Sequence, residues 1–254
     1  MPDYDFRSPR LYVEGPLQEG AQITLNAAQS HYLGTVLRLK PGAQVLVFNG
    51  RDGEWVASLA VSKRTSTLLV GKKTRPQSPT ADLHYLFAPL KAARLDYMVQ
   101  KAIEMGASSL HPVLTRFTQV ARVNGERMRA NVIEAAEQCG ILSIAAVAEP
   151  VALDRYLEQR PPQRLLVFCD EAADAGNPLH TLRSDAAGPN GIDILVGPEG
   201  GFAEEERNML LRQPRILRLS LGPRVLRADT AAVAALALVQ AALGDWTRPA
   251  DLPG

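Results

Sequence analysis

The sequence predicts an α/β protein in which a small β-barrel precedes a larger domain built on a parallel sheet. Three observations support this: short β-like runs between residues 11 and 70, a polar stretch at 71–80, and an alternation of strand and helix patterns after it. Such alternation is typical of a parallel sheet with helices on both faces, which binds ligands at the carboxyl ends of its strands.

The composition indicates an ordered chain without a membrane segment. Its 254 residues are 46% hydrophobic, enough for one large core or two ordinary ones. No apolar run approaches the roughly 20 residues of a membrane span, and Met1–Asp5 is acidic where a signal peptide is basic. We therefore expect a cytoplasmic protein. Cys139 and Cys169 are too far apart to indicate a disulfide framework or a zinc site, so we expect no metal.

The net charge of +1 is unevenly distributed along the chain. Residues 1–80 carry 10 Lys and Arg against 6 Asp and Glu, whereas residues 81–254 carry 18 against 21. A locally basic module suits binding to a phosphate backbone, although a solvated linker face has the same composition. The excess is concentrated in Lys63, Arg64, Lys72, Lys73 and Arg75.

The first domain is predicted from β-like runs separated by Gly, Asn, Asp and Pro. These runs are Arg10–Val13, Gln44–Phe48, Glu54–Leu59 and Thr67–Val70. Gly71–Thr80 follows with no apolar residue and two prolines, which predicts an exposed interdomain linker. We place the boundary in this linker, with one domain at 1–73 and the other at 74–254.

The second domain is predicted to alternate strands and helices. Apolar runs predict strands at Leu83–Ala88, Leu110–Leu114, Ile144–Val147, Leu165–Cys169, Ile192–Val196 and Ile216–Leu219. Helices are predicted at Lys91–Met105, Glu126–Cys139, Ala203–Leu211 and Thr230–Leu243. The first helix places Leu95, Met98, Val99, Ala102 and Ile103 on one face, and Gly106 is its expected stop. The last helix is apolar nearly all round, so it must be buried in the core or across a subunit contact.

The strongest motif is Ile194–Phe202, in which a buried strand runs into a glycine-rich turn ahead of an acidic helix start. Three glycines in five positions remove side chains where a backbone approaches a ligand closely or takes a positive φ. A tight turn with nothing bound has the same composition. The common nucleotide-binding, nucleophile-elbow and zinc-protease motifs are absent.

A second motif spans Leu219–Ala231, where another strand ends in a Gly-Pro loop that carries two arginines. Asp229 or Thr230 is expected to cap the helix that follows. Together, GPEGGF and LGPRVLRADTA resemble the RsmE family, the 16S ribosomal RNA (uracil-N3)-methyltransferases of the SPOUT superfamily.

The resemblance extends over nearly the whole chain. The residues that resemble the family's N-terminal PUA-like barrel are Arg10–Val13, His31–Leu33 and Val36–Leu39. Those that resemble its first α/β segment are Lys91, Lys101, Glu104, His111–Pro112 and Thr115–Arg116, and Glu134–Gln138 resembles its central helix. Two departures are Ile141, where the family usually has Arg, and Asp229, where Glu is common; the first puts any role of position 141 in doubt. The family implies a PUA-like RNA-binding barrel followed by a trefoil-knotted parallel-sheet domain, a rare exception to the rule against knots.

The resemblance also implies the ligands and the partners. S-adenosylmethionine is the implied cofactor, 16S rRNA or the small ribosomal subunit is the implied substrate, and a homodimer through the knotted domain is the implied assembly. Backbone groups of the two loops can hold adenine and ribose without side chains. The implied cofactor residues are Leu195, Val196, Gly197, Pro198, Glu199, Gly200, Gly201, Leu219, Leu221, Gly222, Val225 and Leu226.

Arg227 and Glu199 are the catalytic candidates. A guanidinium near a uracil oxygen would stabilise the anion formed when N3 loses its proton, although Arg227 also suits a phosphate clamp or an ion pair with Asp229. Glu199 either orients the substrate or the ribose, or stabilises the start of the following helix. The RNA-binding candidates are Arg10, His31, Arg38, Lys63, Arg64, Lys72, Lys73, Lys91, Arg116 and Arg224.

Two other functions stay open on the sequence alone. One is a related SPOUT enzyme that acts on transfer RNA or on a ribose 2′-oxygen, which should lack the match at His31–Leu39. The other is a non-catalytic RNA-binding or assembly protein that has kept the fold. The evidence against it is that the motif residues are intact, namely Gly197, Glu199, Gly222 and Arg227.

Overall fold

The computed structural model describes residues 8–61, 66–120, 122–173, 176–184 and 190–247. These residues form two compact units. Within the described residues, the first contains 8–79 and Ala136–Ile144, and the second contains Thr80–Ala135 and 145–247. The return of Ala136–Ile144 to the first unit is not apparent from the sequence, because this segment continues a helix of the second.

The first unit is a curled five-stranded sheet wrapped around an apolar core. Its strands run in the spatial order β1-β3-β4-β5-β2, and the edge strands β1 and β2 are not paired with each other in the described residues. The predicted barrel is therefore an open half-barrel, with Leu33, Val47 and Leu68 fully buried inside. The strands are β1 Arg10–Tyr12, β2 Gln22–Thr24, β3 Gln44–Phe48, β4 Glu54–Val61 and β5 Ser66–Arg75. Helix α1 (Ala27–His31) and a π-helical turn (Tyr32–Val36) connect β2 to β3.

Strand β5 extends into the predicted linker, so the linker prediction is wrong for Gly71–Arg75. The strand stays paired with β4 as far as Glu54 and Arg75. Glu54 is 2% exposed and accepts hydrogen bonds from Arg10 Nε at 2.7 Å and Arg75 Nη2 at 2.6 Å. Burial raises the pKa of Glu54, but the hydrogen bonds from Arg75 and Arg10 outweigh it and keep this pKa below its ordinary value. A buried carboxylate, rather than an apolar pattern, holds this end of the strand.

The second unit is a wholly parallel seven-stranded sheet flanked by helices. Its order is β12-β10-β11-β6-β7-β8, and β9 also pairs with β7. The strands are β6 Leu83–Phe87, β7 Ser109–Leu114, β8 Ala146–Val147, β9 Val151–Ala152, β10 Leu165–Cys169, β11 Ile192–Val196 and β12 Ile216–Leu219. The helices are α2 Ala92–Glu104, α3 Gly125–Cys139, α4 Leu153–Gln159, α5 Pro178–Arg183, α6 Glu204–Leu211 and α7 Ala228–Leu243. A 3₁₀ turn, Asp245–Thr247, follows α7.

The predicted strands and helices of this unit are confirmed, with small shifts at their ends. The buried residues of α2 are the five that the sequence assigns to one face, and Gly106 ends the helix region with φ at +84°. Helix α7 packs against α2 and α5, as its apolar sequence requires. In the described part of the chain, no helix has both the length and the hydropathy to cross a membrane.

A buried ionic cluster lies at the amino end of the parallel strands. Asp193 in β11 is fully buried and contacts Arg164 Nε at 2.7 Å, His84 Nδ1 at 3.4 Å and Arg160 Nε at 3.5 Å. Removing one partner from such a buried group typically costs about 3–5 kcal/mol, because it leaves an uncompensated charge. We assign this cluster to stability, since ligands of parallel sheets bind at the opposite end.

Candidate active site

A cavity of about 350 Å³ opens at the carboxyl ends of β10, β11 and β12. Because β10 lies between β11 and β12, the loops that follow the three strands meet there. The cavity walls come from Asp170–Ala173 after β10, from the loop between Val196 and Phe202 after β11, and from Ser220–Leu226 after β12. A cavity of this size, at this end of a parallel sheet, is typical of a small-molecule site.

Most of the cofactor residues expected from the sequence line this cavity. They are Val196, Gly197, Pro198, Glu199, Gly201, Leu219, Leu221, Gly222, Val225 and Leu226. Leu195 and Gly200 do not. Leu195 is fully buried and belongs to the apolar core beneath the loop. Gly200 lies against Phe117, whose Cβ would be 3.2 Å from a Cβ added at that glycine.

The glycines of the first loop have different roles. A side chain at Gly197 would overlap the ring of Phe202, which packs edge-on against Phe168 with 5.2 Å between ring centroids. This glycine is therefore required by the packing of the loop itself, a reason that the sequence analysis did not consider. Gly201 and Gly222 have φ of +69° and +102°, which L residues rarely adopt.

The loop after β10 is part of the site, and the sequence analysis missed it. Asp170 is 5% exposed and accepts hydrogen bonds from Arg218 Nε at 2.8 Å, Arg207 Nη2 at 2.9 Å and the Ala172 amide at 3.0 Å. Burial raises the pKa of Asp170, but these hydrogen bonds outweigh it and hold the pKa below its ordinary value. The carboxylate braces the loop. The signal available in the sequence was the acidic Asp170-Glu171 pair at the end of a correctly predicted strand.

Two polar groups on the cavity wall limit the possible chemistry. Arg207 lines the cavity, and its buried Nε has no hydrogen-bond partner within the described residues. Burial raises the pKa of the Cys169 thiol to about 12, so this group stays protonated near neutral pH and does not accept a proton. The described residues contain no group of three or more His, Cys, Asp or Glu side chains suited to a metal ion.

Arg94 on α2 bridges the ends of both sequence motifs. Its Nη1 donates to Glu199 Oε1, and its Nη2 and Nε donate to the two carboxylate oxygens of Asp229 at 2.9 and 3.4 Å. The hydrogen bond from Arg94 holds the pKa of Asp229 below its ordinary value. The alternative of an ion pair between Arg227 and Asp229, which the sequence left open, is therefore wrong, because the Asp229 carboxylate accepts hydrogen bonds from Arg94 instead.

Arg227 stands at the start of α7 with an exposed side chain. It is the N-cap residue, so the expectation that Asp229 or Thr230 caps the helix is wrong, since the helix begins earlier. Within the part of the chain that the structure describes, the Arg227 side chain makes no hydrogen bond or ion pair. Its two chain neighbours, Leu226 and Ala228, line the cavity, whereas Arg227 itself does not.

The RNA-binding candidates of the first unit differ in exposure. Its exposed candidates are His31, Arg38, Lys72 and Lys73. The Arg10 side chain is only 5% exposed and is bound to Glu54, so the prediction that Arg10 contacts RNA is wrong. Lys63 and Arg64 lie outside the described residues.

The RNA-binding candidates of the second unit are all exposed: Lys91, Arg116 and Arg224. Lys91 precedes α2, and Arg224 lines the cavity. The backbone amide of Arg116 donates to Glu206 Oε1 at 2.8 Å, which fastens this loop to the start of α6. Its guanidinium stays exposed, with a loose contact of 3.8 Å to Glu205.

Comparisons with protein families agree with the two units. Residues 76–240 match the RNA methyltransferase domain family, and residues 25–70 match the RNA methyltransferase PUA domain. Ribosomal RNA small subunit methyltransferase E of Rickettsia conorii is 31% identical over 233 residues, which cover 91% of this chain and 94% of the relative. The same enzyme of Synechocystis is 31% identical, with 88% and 74% covered.

Solved structures similar to this chain are also methyltransferases. A putative methyltransferase from Legionella pneumophila, in complex with the cofactor SAM, superposes with a TM-score of 0.80 at 30% identity, covering 93% of this chain and 98% of that one. A ribosomal RNA small subunit methyltransferase E from Neisseria gonorrhoeae, bound to S-adenosyl methionine, has a TM-score of 0.78 at 27% identity, with 92% and 97% covered. These matches extend over nearly the whole chain, and it therefore belongs to the ribosomal RNA small subunit methyltransferase E family of RNA methyltransferases.

Proposed function

We propose that this protein methylates N3 of a uridine in 16S ribosomal RNA, with S-adenosylmethionine as the methyl donor. The observation that carries the proposal is the cavity at the carboxyl ends of β10, β11 and β12, in a chain that belongs to this family. Two similar structures contain S-adenosylmethionine, and the relatives are named as small-subunit rRNA methyltransferases. We also propose that the segments around this cavity form the superfamily's trefoil knot, and that the protein works in the cytoplasm.

The cavity fits S-adenosylmethionine in its size and in the chemistry of its walls. Its volume of about 350 Å³ lies within the usual range for small-molecule sites. Val225 is an apolar wall residue that is 90% exposed, so a ligand packed against it would remove apolar surface from water. Arg207 also lines the cavity, and its guanidinium can donate a hydrogen bond to a carboxylate or a hydroxyl of the cofactor.

Arg227 is the residue to which we assign the chemical step. S-adenosylmethionine supplies a methyl group on a positively charged sulfur. The uracil N3 must lose its proton, which passes to solvent, and the negative charge then spreads onto the ring oxygens. As N3 forms its bond to the methyl carbon, the carbon–sulfur bond breaks and its electron pair stays on sulfur, which becomes neutral. Arg227 lies between two cavity-lining residues in the chain, and its exposed guanidinium, without a partner among the described residues, can donate hydrogen bonds to such an oxygen. Glu199 is held by Arg94, so we assign it to the arrangement of the loop.

The substrate is expected to be an unpaired uridine within folded RNA. Watson–Crick pairing occupies N3, so the base must leave its stack or lie in a loop before it can react. We propose that RNA is held by His31, Arg38, Lys72 and Lys73 of the first unit and by Lys91, Arg116 and Arg224 of the second. Lys73 also lies 5.0 Å from the centroid of the Trp55 ring, which combines a cation with an aromatic surface. Lys63 and Arg64 stay candidates on the sequence alone.

Deleting the gene is expected to remove one 3-methyluridine from 16S rRNA, because this protein is the proposed enzyme for that methylation. Mass spectrometry of nuclease digests of the rRNA measures this loss directly. Expression of the wild-type chain should restore the modified nucleoside, and the Arg227→Ala variant should restore little of it. An unchanged 3-methyluridine content after deletion would contradict the proposed reaction, and loss of a different modified nucleoside would reassign the substrate.

We also propose a homodimer that uses α7. Apolar residues at helical spacing on this helix, among them Ala234, Ala237, Leu238 and Ala241, are only partly buried within the single chain. Sedimentation at micromolar concentration is expected to give a dimer, since covering this face removes apolar surface from water. Leu238→Glu should give monomers, whereas Thr230→Glu, at an exposed position of the same helix, should not. A wild-type chain that sediments only as a monomer would refute the dimer.

A further inference from the structure

We propose that Arg94 is a positioning residue that couples the two cofactor loops, an inference that rests on the proposed function. Arg94 lies on α2, outside both motifs and outside the cavity wall. Its guanidinium nevertheless binds Glu199, in the loop after β11, and Asp229, in the first turn of α7 after the β12 loop. One side chain therefore joins the two segments that the sequence identifies as the cofactor loops.

The sheet itself does not provide this connection. Strands β11 and β12 are separated by β10, so no ladder hydrogen bonds run directly from one to the other. The Asp170 carboxylate links the β10 loop to α6 and to β12, but its contacts do not include α7. In the described residues, Arg94 alone connects the Glu199 side chain to α7 through side-chain hydrogen bonds. The distance between the two loops thus depends on a residue of α2.

The position of Asp229 separates positioning from direct contact. Glu199 lines the cavity, so its removal changes the wall itself. Asp229 does not line the cavity, although its neighbour Ala228 does. A loss of cofactor affinity in Asp229→Ala therefore arises through the placement of the loop. Arg94, Glu199 and Asp229 are 34%, 36% and 19% exposed, so solvent weakens the bridge and we expect a moderate effect.

A double-mutant cycle on the full-length chain tests the coupling. Titration calorimetry with S-adenosylmethionine is expected to show affinity about fivefold to tenfold lower for Arg94→Ala and similarly lower for Asp229→Ala. The double variant should lose little more than either single variant, because one bridge is removed in all three cases. Arg94→Lys keeps the charge but not the forked geometry, so it should recover the affinity only in part.

Arg127→Ala is the matched control. Arg127 lies on α3 and forms an ion pair with Asp96, which is on α2 as Arg94 is. Neither Arg127 nor Asp96 lines the cavity, so this variant should bind the cofactor as the wild type does. If Arg94→Ala binds with wild-type affinity, or if the losses in the double variant add, the inference is overturned while the proposed function stands. Absence of binding by the wild-type chain itself would overturn the proposed cofactor, and this inference with it.

Discussion

Gly201→Val is expected to abolish S-adenosylmethionine binding while leaving the chain folded. Gly201 has φ at +69°, a backbone conformation that a β-branched residue adopts only with strain, and its amide donates to Pro198 O at 2.9 Å to close the loop. A Cβ at this position would also lie 3.5 Å from Glu171 Oε1, in the loop after β10. Relief of the strain moves the backbone between Glu199 and Phe202, which forms the cavity wall. Calorimetry with the purified chain measures the loss.

The control for this variant is the same substitution at Gly125. That glycine, at the start of α3, has no heavy atom within 4 Å of an added Cβ and no positive φ, and it does not line the cavity. Gly125→Val should therefore bind the cofactor normally. Thermal unfolding must show that Gly201→Val is folded at the assay temperature. A folded Gly201→Val that binds with wild-type affinity would remove this loop from the cofactor site.

The sequence predicted the second unit of the fold well because its elements carry strong local patterns. Strands such as Leu165–Cys169 are uninterrupted apolar runs, and α2 has its buried residues at helical spacing. The sequence analysis missed β2, β9, α1, α4 and α5, which are short and have few buried residues. Their structure depends on the strands that they pack against, and a local pattern does not carry this information.

The candidate site was predicted where glycines mark it, and missed where tertiary contacts create it. The two glycine-rich strand ends supply most of the cavity wall. The Asp170 loop has no glycine, and it is held by Arg207 and Arg218, whose pairing with Asp170 is not visible in a linear sequence. Arg94 is 135 positions from Asp229, so only the fold brings these side chains together.

The strand β5 shows how a local pattern can mislead. Gly71–Arg75 has no apolar residue, so composition alone favours an exposed linker. The strand persists because β4 supplies a backbone partner and Glu54 supplies a buried charge for Arg75 and Arg10. The same pairing removes Arg10 from the RNA-binding candidates, whereas Lys72 and Lys73 on this strand stay exposed and keep their proposed role.

Arg227→Ala is expected to lower kcat by about 100-fold to 1000-fold while leaving S-adenosylmethionine affinity nearly unchanged. Loss of one donor to a developing oxyanion typically has an effect of this size. The cofactor affinity should persist because Arg227 does not line the cavity, whereas its neighbours Leu226 and Ala228 do. Single-turnover methylation of small ribosomal subunits at saturating cofactor measures the chemical step, and calorimetry measures the affinity.

Arg224→Ala is the matched comparison, because Arg224 is a second exposed arginine on the same β12 loop. Its assigned role is RNA binding, so its loss should raise the KM for ribosomal subunits and leave kcat close to that of the wild type. Arg227→Lys should recover only part of the rate, since an ammonium lacks the planar fork of a guanidinium. If Arg227→Ala instead turned over normally at saturating RNA and only its KM rose, Arg227 would have the role that is proposed for Arg224, contact with the RNA backbone, and the stabilisation of the uracil anion would require another donor.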